Sequence, residues 1–162
     1  MKKCAWVMLL CLLLTACTSS TSYKSTAAEL TGLDLSGSTI VSEKDTHGGF
    51  LGDGELCVVF DCASIADSMA QQTKNWRRFP LSENLQMVIY GGTKDGGVYM
   101  FDAAEEFEIP EISNGCYYFI NRQASKADAQ DDTFLFYNAS FNFSLFLYDE
   151  DACRLYYYEL DT

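Results

Sequence analysis

The C-terminal part of the chain alternates apolar and polar side chains with a period of two, and this pattern constrains the fold most strongly. Side chains that alternate in this way lie on opposite faces of a β-strand. If a four-residue loop, Asp149–Ala152, joins two strands, Tyr148 lies opposite Cys153, and one face collects Phe141, Phe143, Leu145, Leu147, Tyr156, Tyr158 and Leu160. We therefore predict an antiparallel hairpin whose other face is largely solvated and carries Asn142, Ser144 and Glu159.

Shorter patterns predict the rest of the fold. Apolar residues fall near helical spacing after Ser64, a possible N-cap, and predict one main helix over residues 65–75. The glycines of residues 91–97, with Asp95-Gly96, predict a hairpin turn. The other predicted strands are Ser38–Lys44, Glu55–Cys62, Leu85–Tyr90, Val98–Asp102, Cys116–Asn121, Phe134–Tyr148 and Cys153–Leu160. Together they predict one α+β domain over residues 37–162: a mainly antiparallel β-sheet of about six or seven strands with one main helix packed on a face.

The N-terminus has the pattern of an export signal. Lys2 and Lys3 precede an apolar run, Ala5–Leu14, whose length of about ten residues suits a signal peptide and falls short of a membrane-spanning helix. The run ends in Leu14-Thr15-Ala16-Cys17, which resembles the lipobox of bacterial lipoproteins. That resemblance implies a signal peptide over residues 1–16, cleavage before Cys17 and attachment of diacylglycerol to the Cys17 sulfur. Residues 17–36 then form the lipidated cysteine and a flexible Ser/Thr-rich tether. We expect a membrane-anchored domain in the cell envelope, outside the cytoplasm.

The charge of the chain limits its partners. Removal of Lys2 and Lys3 with the signal leaves 9 basic residues against 23 acidic residues, a formal charge of −14. Such a charge argues against nucleic acid, since phosphate binding needs positive groups. A basic protein or peptide partner, or a cation, fits better, and solubility of an exported domain is the plainer explanation.

The most distinctive segment is a Gly-rich loop, Asp45–Glu55, that holds the single histidine of the chain. Its candidate ligand or partner groups are Asp45, His47, Gly48, Gly49, Asp53 and Glu55. Glycines let a ligand approach the backbone, and carboxylates bind cations or accept protons. A structural turn, contact with a ligand or partner, and catalysis all stay open here. We predict no metal site and no cofactor, because one histidine excludes the common zinc centres and no catalytic or phosphate-binding motif is present.

Three segments carry a family resemblance. The Gly-rich loop, Trp76–Leu85 and Leu155–Leu160 together resemble an uncharacterised family of small proteins from Gram-positive bacteria. That resemblance implies a fold and no assigned activity. Within Trp76–Leu85, Arg77 and Arg78 are expected at a solvated helix end, with an anion or acidic partner as the alternative.

Four cysteines follow Cys17, and their pairing stays open between buried thiols and one disulfide. They are Cys57, Cys62, Cys116 and Cys153. A bond between Cys57 and Cys62 is excluded if both lie in one strand, because five residues of strand span about 17 Å and a disulfide requires Cα atoms within about 7 Å.

The sequence therefore predicts a lipid-anchored, non-catalytic binding or interaction module. The first alternative is an immunity-type inhibitor of a basic toxin or hydrolase, based on the acidic charge. The second is a hydrolase that uses Asp45, His47 and Asp53.

Overall fold

The computed structural model describes residues 22–48, 52–94 and 96–162, and the chain divides into two compact units with the boundary after Gly37. In the first unit, residues 22–31 form helix α1. Gly32 ends this helix with a φ of 76°, and its N–H donates to the Ala28 carbonyl over 2.8 Å. The helix differs from the predicted flexible tether, since Ala27 and Ala28 have a high helix propensity.

The second unit, Ser38–Thr162, is an α+β domain, as the sequence predicts. Its helices are α2 (Ala66–Gln72), α3 (Glu83–Tyr90) and α4 (Ala103–Glu106). Its strands are β1 (Thr39–Asp45), β2 (Gly54–Asp61), β3 (Arg77–Arg78), β4 (Gly92–Lys94), β5 (Gly97–Tyr99), β6 (Gly115–Asn121), β7 (Asn142–Asp149) and β8 (Arg154–Asp161). A six-stranded antiparallel sheet has the order β1-β2-β8-β7-β6-β3, and β4 pairs with β5.

The hairpin of β7 and β8 has the predicted faces in a shifted register. Tyr148 lies opposite Leu155 instead of Cys153, a shift of two residues that leaves every side chain on its predicted face. Cys153 adopts a positive φ of 51° and belongs to the turn, which explains the shift.

Both faces of the sheet are covered, so the expected solvated face is wrong. On the first face, Phe143, Leu145 and Tyr158 pack with α3 and α4 in the main core. The second face buries Val58, Phe60, Phe146, Tyr148, Leu155 and Tyr157. The Trp76 ring packs on part of this face, and its centroid lies 5.4 Å from that of Tyr118 and 6.3 Å from that of Phe146.

Two predicted elements have a different structure. Residues 85–90 form most of α3 and not a strand, because the Ser82 side chain accepts a bond from the Leu85 N–H and caps the helix. Leu85, Val88 and Ile89 then share one buried face at helical spacing. The predicted strand over residues 134–148 begins only at Asn142, after a 3-10 turn at Leu135–Tyr137.

The predicted main helix over residues 65–75 is shorter than expected. A 3-10 turn, Ala63–Ile65, precedes α2, and Ser64 caps neither element. Arg77 and Arg78 lie in the edge strand β3 instead of at a helix end. Arg77 donates to Asp132 over 2.9 Å, and Arg78 forms an ion pair with Glu150.

Candidate functional site

The base of the Gly-rich loop is held by a double contact between its two ends. The Thr46 N–H donates to the Glu55 carbonyl over 2.8 Å, and the Glu55 N–H donates to Thr46 Oγ1 over 2.8 Å. Gly54 has a φ of 157°, and a Cβ atom there would lie 2.5 Å from the Cα atom of His47. Only glycine fits at this approach, so the local backbone places His47 against the start of β2.

His47 bridges two carboxylates from distant parts of the chain. Its Nδ1 lies 2.7 Å from Asp45 Oδ1, and its Nε2 lies 3.1 Å from Asp161 Oδ2. The Asp45 carboxylate also accepts the His47 backbone N–H over 2.9 Å. Two carboxylate acceptors favour the imidazolium form, which donates from both ring nitrogens.

The surroundings of His47 favour its charged form. Burial lowers the pKa of His47, but the hydrogen bonds and negative charges of Asp45 and Asp161 outweigh burial and raise that pKa above 6.5. The ring is therefore protonated over a wider pH range than a solvated histidine, and neither nitrogen is available to accept a proton from a nucleophile.

Arg122 continues this cluster across the end of the sheet. Its Nε donates to Asn142 Oδ1 over 2.7 Å, and its two terminal nitrogens form ion pairs with Glu159 and Asp161. Ser144 donates to Glu159 over 2.7 Å. We call Asp45, His47, Arg122, Glu159 and Asp161 the carboxylate network. Its three acidic and two basic groups nearly balance, which is the arrangement expected of a structural ion-pair cluster.

Glu55 turns away from this network, toward the first face of the sheet. The Tyr158 hydroxyl donates to Glu55 Oε2 over 2.6 Å. Burial raises the pKa of Glu55, with a smaller opposing effect of the Tyr158 hydrogen bond and further increases from the charges of Glu106 and Asp102. The loop carboxylates therefore lie in two separate environments, Asp45 in the carboxylate network and Glu55 beside Tyr158.

The structure unites only part of the predicted candidate set. Asp45 and His47 are in contact, whereas Gly48 and Asp53 are exposed at the surface. Gly49 and Cys17 lie outside the described residues. Sequence reasoning missed Asp161, Arg122 and Glu159. The spacing of Glu159 and Asp161, two residues apart beside Leu160, was the available signal that both carboxylates share a strand face.

The cysteines described in β2, in β6 and in the β7–β8 turn are thiols. Burial raises the pKa of Cys57 to about 12 and also raises the pKa of Cys116, so neither is a reactive thiolate near neutral pH. Within residues 22–48, 52–94 and 96–162, no group of three or more His, Cys, Asp or Glu side chains is arranged to hold a metal ion.

A second candidate site lies between the β4–β5 hairpin and the 3-10 turn at Leu135–Tyr137. It is a cavity of about 410 Å³, and we call it the aromatic groove. Its walls include Asn84, Lys94, Tyr99, Phe134, Phe136 and Tyr137. The sequence analysis did not single out this site, because residues 134–148 read as one continuous strand.

Comparisons with protein families, with curated proteins and with solved structures find no significant match to this chain. In the part of the chain that the structure describes, no helix combines the length and apolar composition needed to cross a bilayer.

Proposed function

We propose that this chain is a lipid-anchored, extracytoplasmic binding module that acts without catalysis and takes a basic protein or peptide as its partner. The observation that carries the proposal is a contrast between two sets of side chains. His47 and Asp45 of the Gly-rich loop are held by hydrogen bonds within the fold, whereas large apolar side chains are exposed at the aromatic groove, next to a cavity lined by Asp128 and Asp131. Exposed apolar clusters rimmed by polar groups are typical of interaction surfaces.

The charge of the domain supports a basic partner. The formal charge of −14 after removal of the signal peptide attracts cationic surfaces and accelerates their encounter with the domain. The same charge disfavours close contact with anionic lipid headgroups. The partner is therefore expected among basic proteins that meet the domain at the membrane surface.

The location of the module depends on Cys17. A diacylglycerol on its sulfur supplies two acyl chains, which give stable anchoring where one chain alone is marginal. Radiolabelled palmitate should enter the wild-type chain and not the Cys17→Ser chain, and only the wild-type chain should fractionate with membranes. Labelling that persists in Cys17→Ser, or unlabelled wild-type protein, would remove the anchor and the compartment from the proposal.

The association is tested with the full-length lipoprotein in neutral detergent micelles. The probes are basic proteins, beginning with cytochrome c and pancreatic ribonuclease, and succinylated forms of the same proteins serve as charge-reversed controls. We expect the association rate constant with the native probes to fall at least about tenfold between low and physiological salt, because screening weakens attraction between exposed charges. Absent or salt-insensitive association would contradict the proposal. Loss of a bound hydrolase's activity would identify the inhibitor form of the same function.

The hydrolase alternative has weaker support. A histidine that acts as a general base needs one ring nitrogen directed at a nucleophile or at water. In the described structure, the Nε2 of His47 instead contacts the carboxylate of Asp161, and Nδ1 contacts Asp45.

A further inference from the structure

We propose that the aromatic groove binds a basic segment of the partner protein, with one apolar side chain of that segment seated between Tyr99, Phe134 and Tyr137. This inference deepens the proposed function and rests on it, because that function supplies the requirement for a basic partner. The groove volume of about 410 Å³ lies within the range of about 300–1,000 Å³ that is usual for ligand pockets.

Two aromatic side chains in the wall of the groove are highly exposed, Phe134 at 66% and Tyr137 at 83%. Val98 is exposed as well, but it pairs with Thr93 on the face of the β4–β5 hairpin opposite to Tyr99 and Lys94, so it does not line the groove. A single exposed apolar residue is ordinary, whereas two neighbouring exposed rings in the wall of a cavity are typical of interaction surfaces.

The floor of the groove is rigid, which makes it suitable for binding without reorganisation. Phe136 packs 4.7 Å from Tyr99, 6.1 Å from Phe101 and 5.8 Å from Phe141, measured between ring centroids. Rings held by several neighbours lose little further freedom when a ligand arrives, and this preorganisation favours affinity.

A buried polar network holds the turn that carries the exposed rings. The Asn84 side chain is 8% exposed and donates to the carbonyls of Asp132 and Thr133 over 2.7 and 3.2 Å. Asp132 in turn accepts hydrogen bonds from Ser82 and Arg77. These bonds tie the 3-10 turn to the start of α3, so that Phe134 and Tyr137 project from a fixed backbone.

The charges around the groove determine what kind of segment it accepts. Lys94 is the cation in its wall, and this ammonium group is bonded to Asn84 and lies 3.2 Å from Glu83 Oε2. A neighbouring cavity of about 380 Å³ shares Phe134 and adds the carboxylates of Asp128 and Asp131. Hydrogen bonds from Thr133 lower the pKa of Asp131, so this rim stays negative in mildly acidic conditions. An apolar anchor flanked by lysine or arginine complements such a surface, whereas an acidic segment does not.

The lipid bilayer is the strongest rival occupant, since tyrosine and phenylalanine also sit well at membrane interfaces. The carboxylates of Glu83, Asp128 and Asp131 disfavour that occupant, because they would approach anionic headgroups. A second copy of the chain is also disfavoured, since it would bring two acidic rims together.

The test measures binding of fluorescent peptides to the full-length lipoprotein in neutral detergent micelles. One peptide has a Phe-Leu centre flanked by three lysines on each side, one has the same lysines around Ser-Gly, and one has glutamates around Phe-Leu. The groove variant is Phe134→Ser with Tyr137→Ser, and the matched control is Val41→Ser, an exposed apolar residue on β1. We expect the lysine-flanked Phe-Leu peptide to bind at least tenfold more tightly than the other two. The groove variant should lose at least tenfold in affinity for it, and Val41→Ser should stay within twofold of the wild type.

The results distinguish a failure of the groove proposal from a failure of the proposed function. Unchanged peptide affinity in the groove variant, with salt-dependent binding of basic proteins retained, overturns the groove and leaves the proposed function standing. Absence of binding to basic peptides and to basic proteins overturns both. Binding of the lipid-free Cys17→Ser chain to phosphatidylcholine–phosphatidylglycerol vesicles, lost in the groove variant, would assign the patch to the bilayer. A sedimenting dimer that dissociates in the groove variant would assign it to a second copy, and either result contradicts the proposal.

Discussion

The carboxylate network and the aromatic groove differ in how completely their side chains are used within the fold. In the network, both nitrogens of His47 and all three nitrogens of Arg122 are bonded to groups of the same chain. At the groove, Phe134 and Tyr137 contact each other 6.0 Å apart between centroids but leave most of their surface in water. Residues with the richest chemistry can thus serve the fold, while simple apolar side chains remain available to a partner.

The largest loss of stability is expected when the Arg122 guanidinium is removed from the carboxylate network. Arg122→Met leaves Glu159 and Asp161, which are mostly buried, without their guanidinium partner. We expect the free energy of unfolding to fall by about 3 kcal/mol, because an uncompensated buried charge is costly. Urea denaturation of the full chain measures this change.

Arg78→Met is the matched control for that experiment. Its ion pair with Glu150 lies at the surface, where the Arg78 side chain is 59% exposed. The expected loss is below about 1 kcal/mol. Equal losses in the two variants would show that the network contributes no more than a surface pair.

A pH series on His47→Gln tests whether the histidine bridge between Asp45 and Asp161 is charged. The folded pKa of His47 lies above the unfolded value of 6.5, so its stabilising contribution is full below that pH and disappears as the pH rises through the folded pKa. We expect the variant to lose about 1 kcal/mol near pH 5.5 and much less near pH 9. The control is Lys44→Gln, which removes an ion pair with Glu106 and leaves His47 in place, and its effect should be similar at the two pH values. A loss that grows with pH in His47→Gln would contradict the charged bridge.

Glu55→Gln tests the second carboxylate environment of the loop. Burial raises the folded pKa of Glu55 above 4.5, so ionisation weakens the fold as the pH rises through that pKa. The amide oxygen of glutamine still accepts the Tyr158 hydroxyl. We expect the variant to match the wild type in stability near pH 4 and to exceed it near pH 7 by less than about 1 kcal/mol. Thermal unfolding at both pH values checks the sign, and a variant less stable at pH 7 would contradict it.

The smallest stability change is expected at the groove itself. Phe134→Ser with Tyr137→Ser should alter the free energy of unfolding by less than about 0.5 kcal/mol, since both side chains are exposed. Phe136→Ser, in the same turn, should cost about 2 kcal/mol because this ring packs against Tyr99 and Phe101. Similar losses for the two changes would mean that the exposed rings support the fold.

The antiparallel strands were predictable because large alternating side chains are a local signal. Strands β2, β6 and β8 begin within one residue of their predicted starts. The sequence of α3 was misleading, since Leu85–Tyr90 is a short apolar run that suits a strand or a buried helix equally. The Ser82 cap and the burial of Val88 against the sheet decide in favour of the helix, and only the second of these needs tertiary structure.

Among the candidate functional residues, local signals were likewise predictive and long-range contacts were not. His47 was found because it is the single histidine, but its partner Asp161 is 114 positions away and has no local signature. The groove was missed for a related reason. Phe134 and Phe136 alternate as they would in a strand, and only the 3-10 turn reveals that Phe134 and Tyr137 face solvent.

Both edge strands of the six-stranded sheet carry charged side chains. The outer strand β1 carries Glu43, Lys44 and Asp45 and is interrupted by an irregularity between Ile40 and Ser42. The opposite edge, β3, is two arginines long. If the proposed lipid anchor holds copies on one membrane, they meet at high local density, and pairing between the edge strands of neighbours would produce aggregates. Short, charged and irregular edges oppose such pairing, which under the proposed anchoring keeps the copies separate and the groove accessible to other molecules.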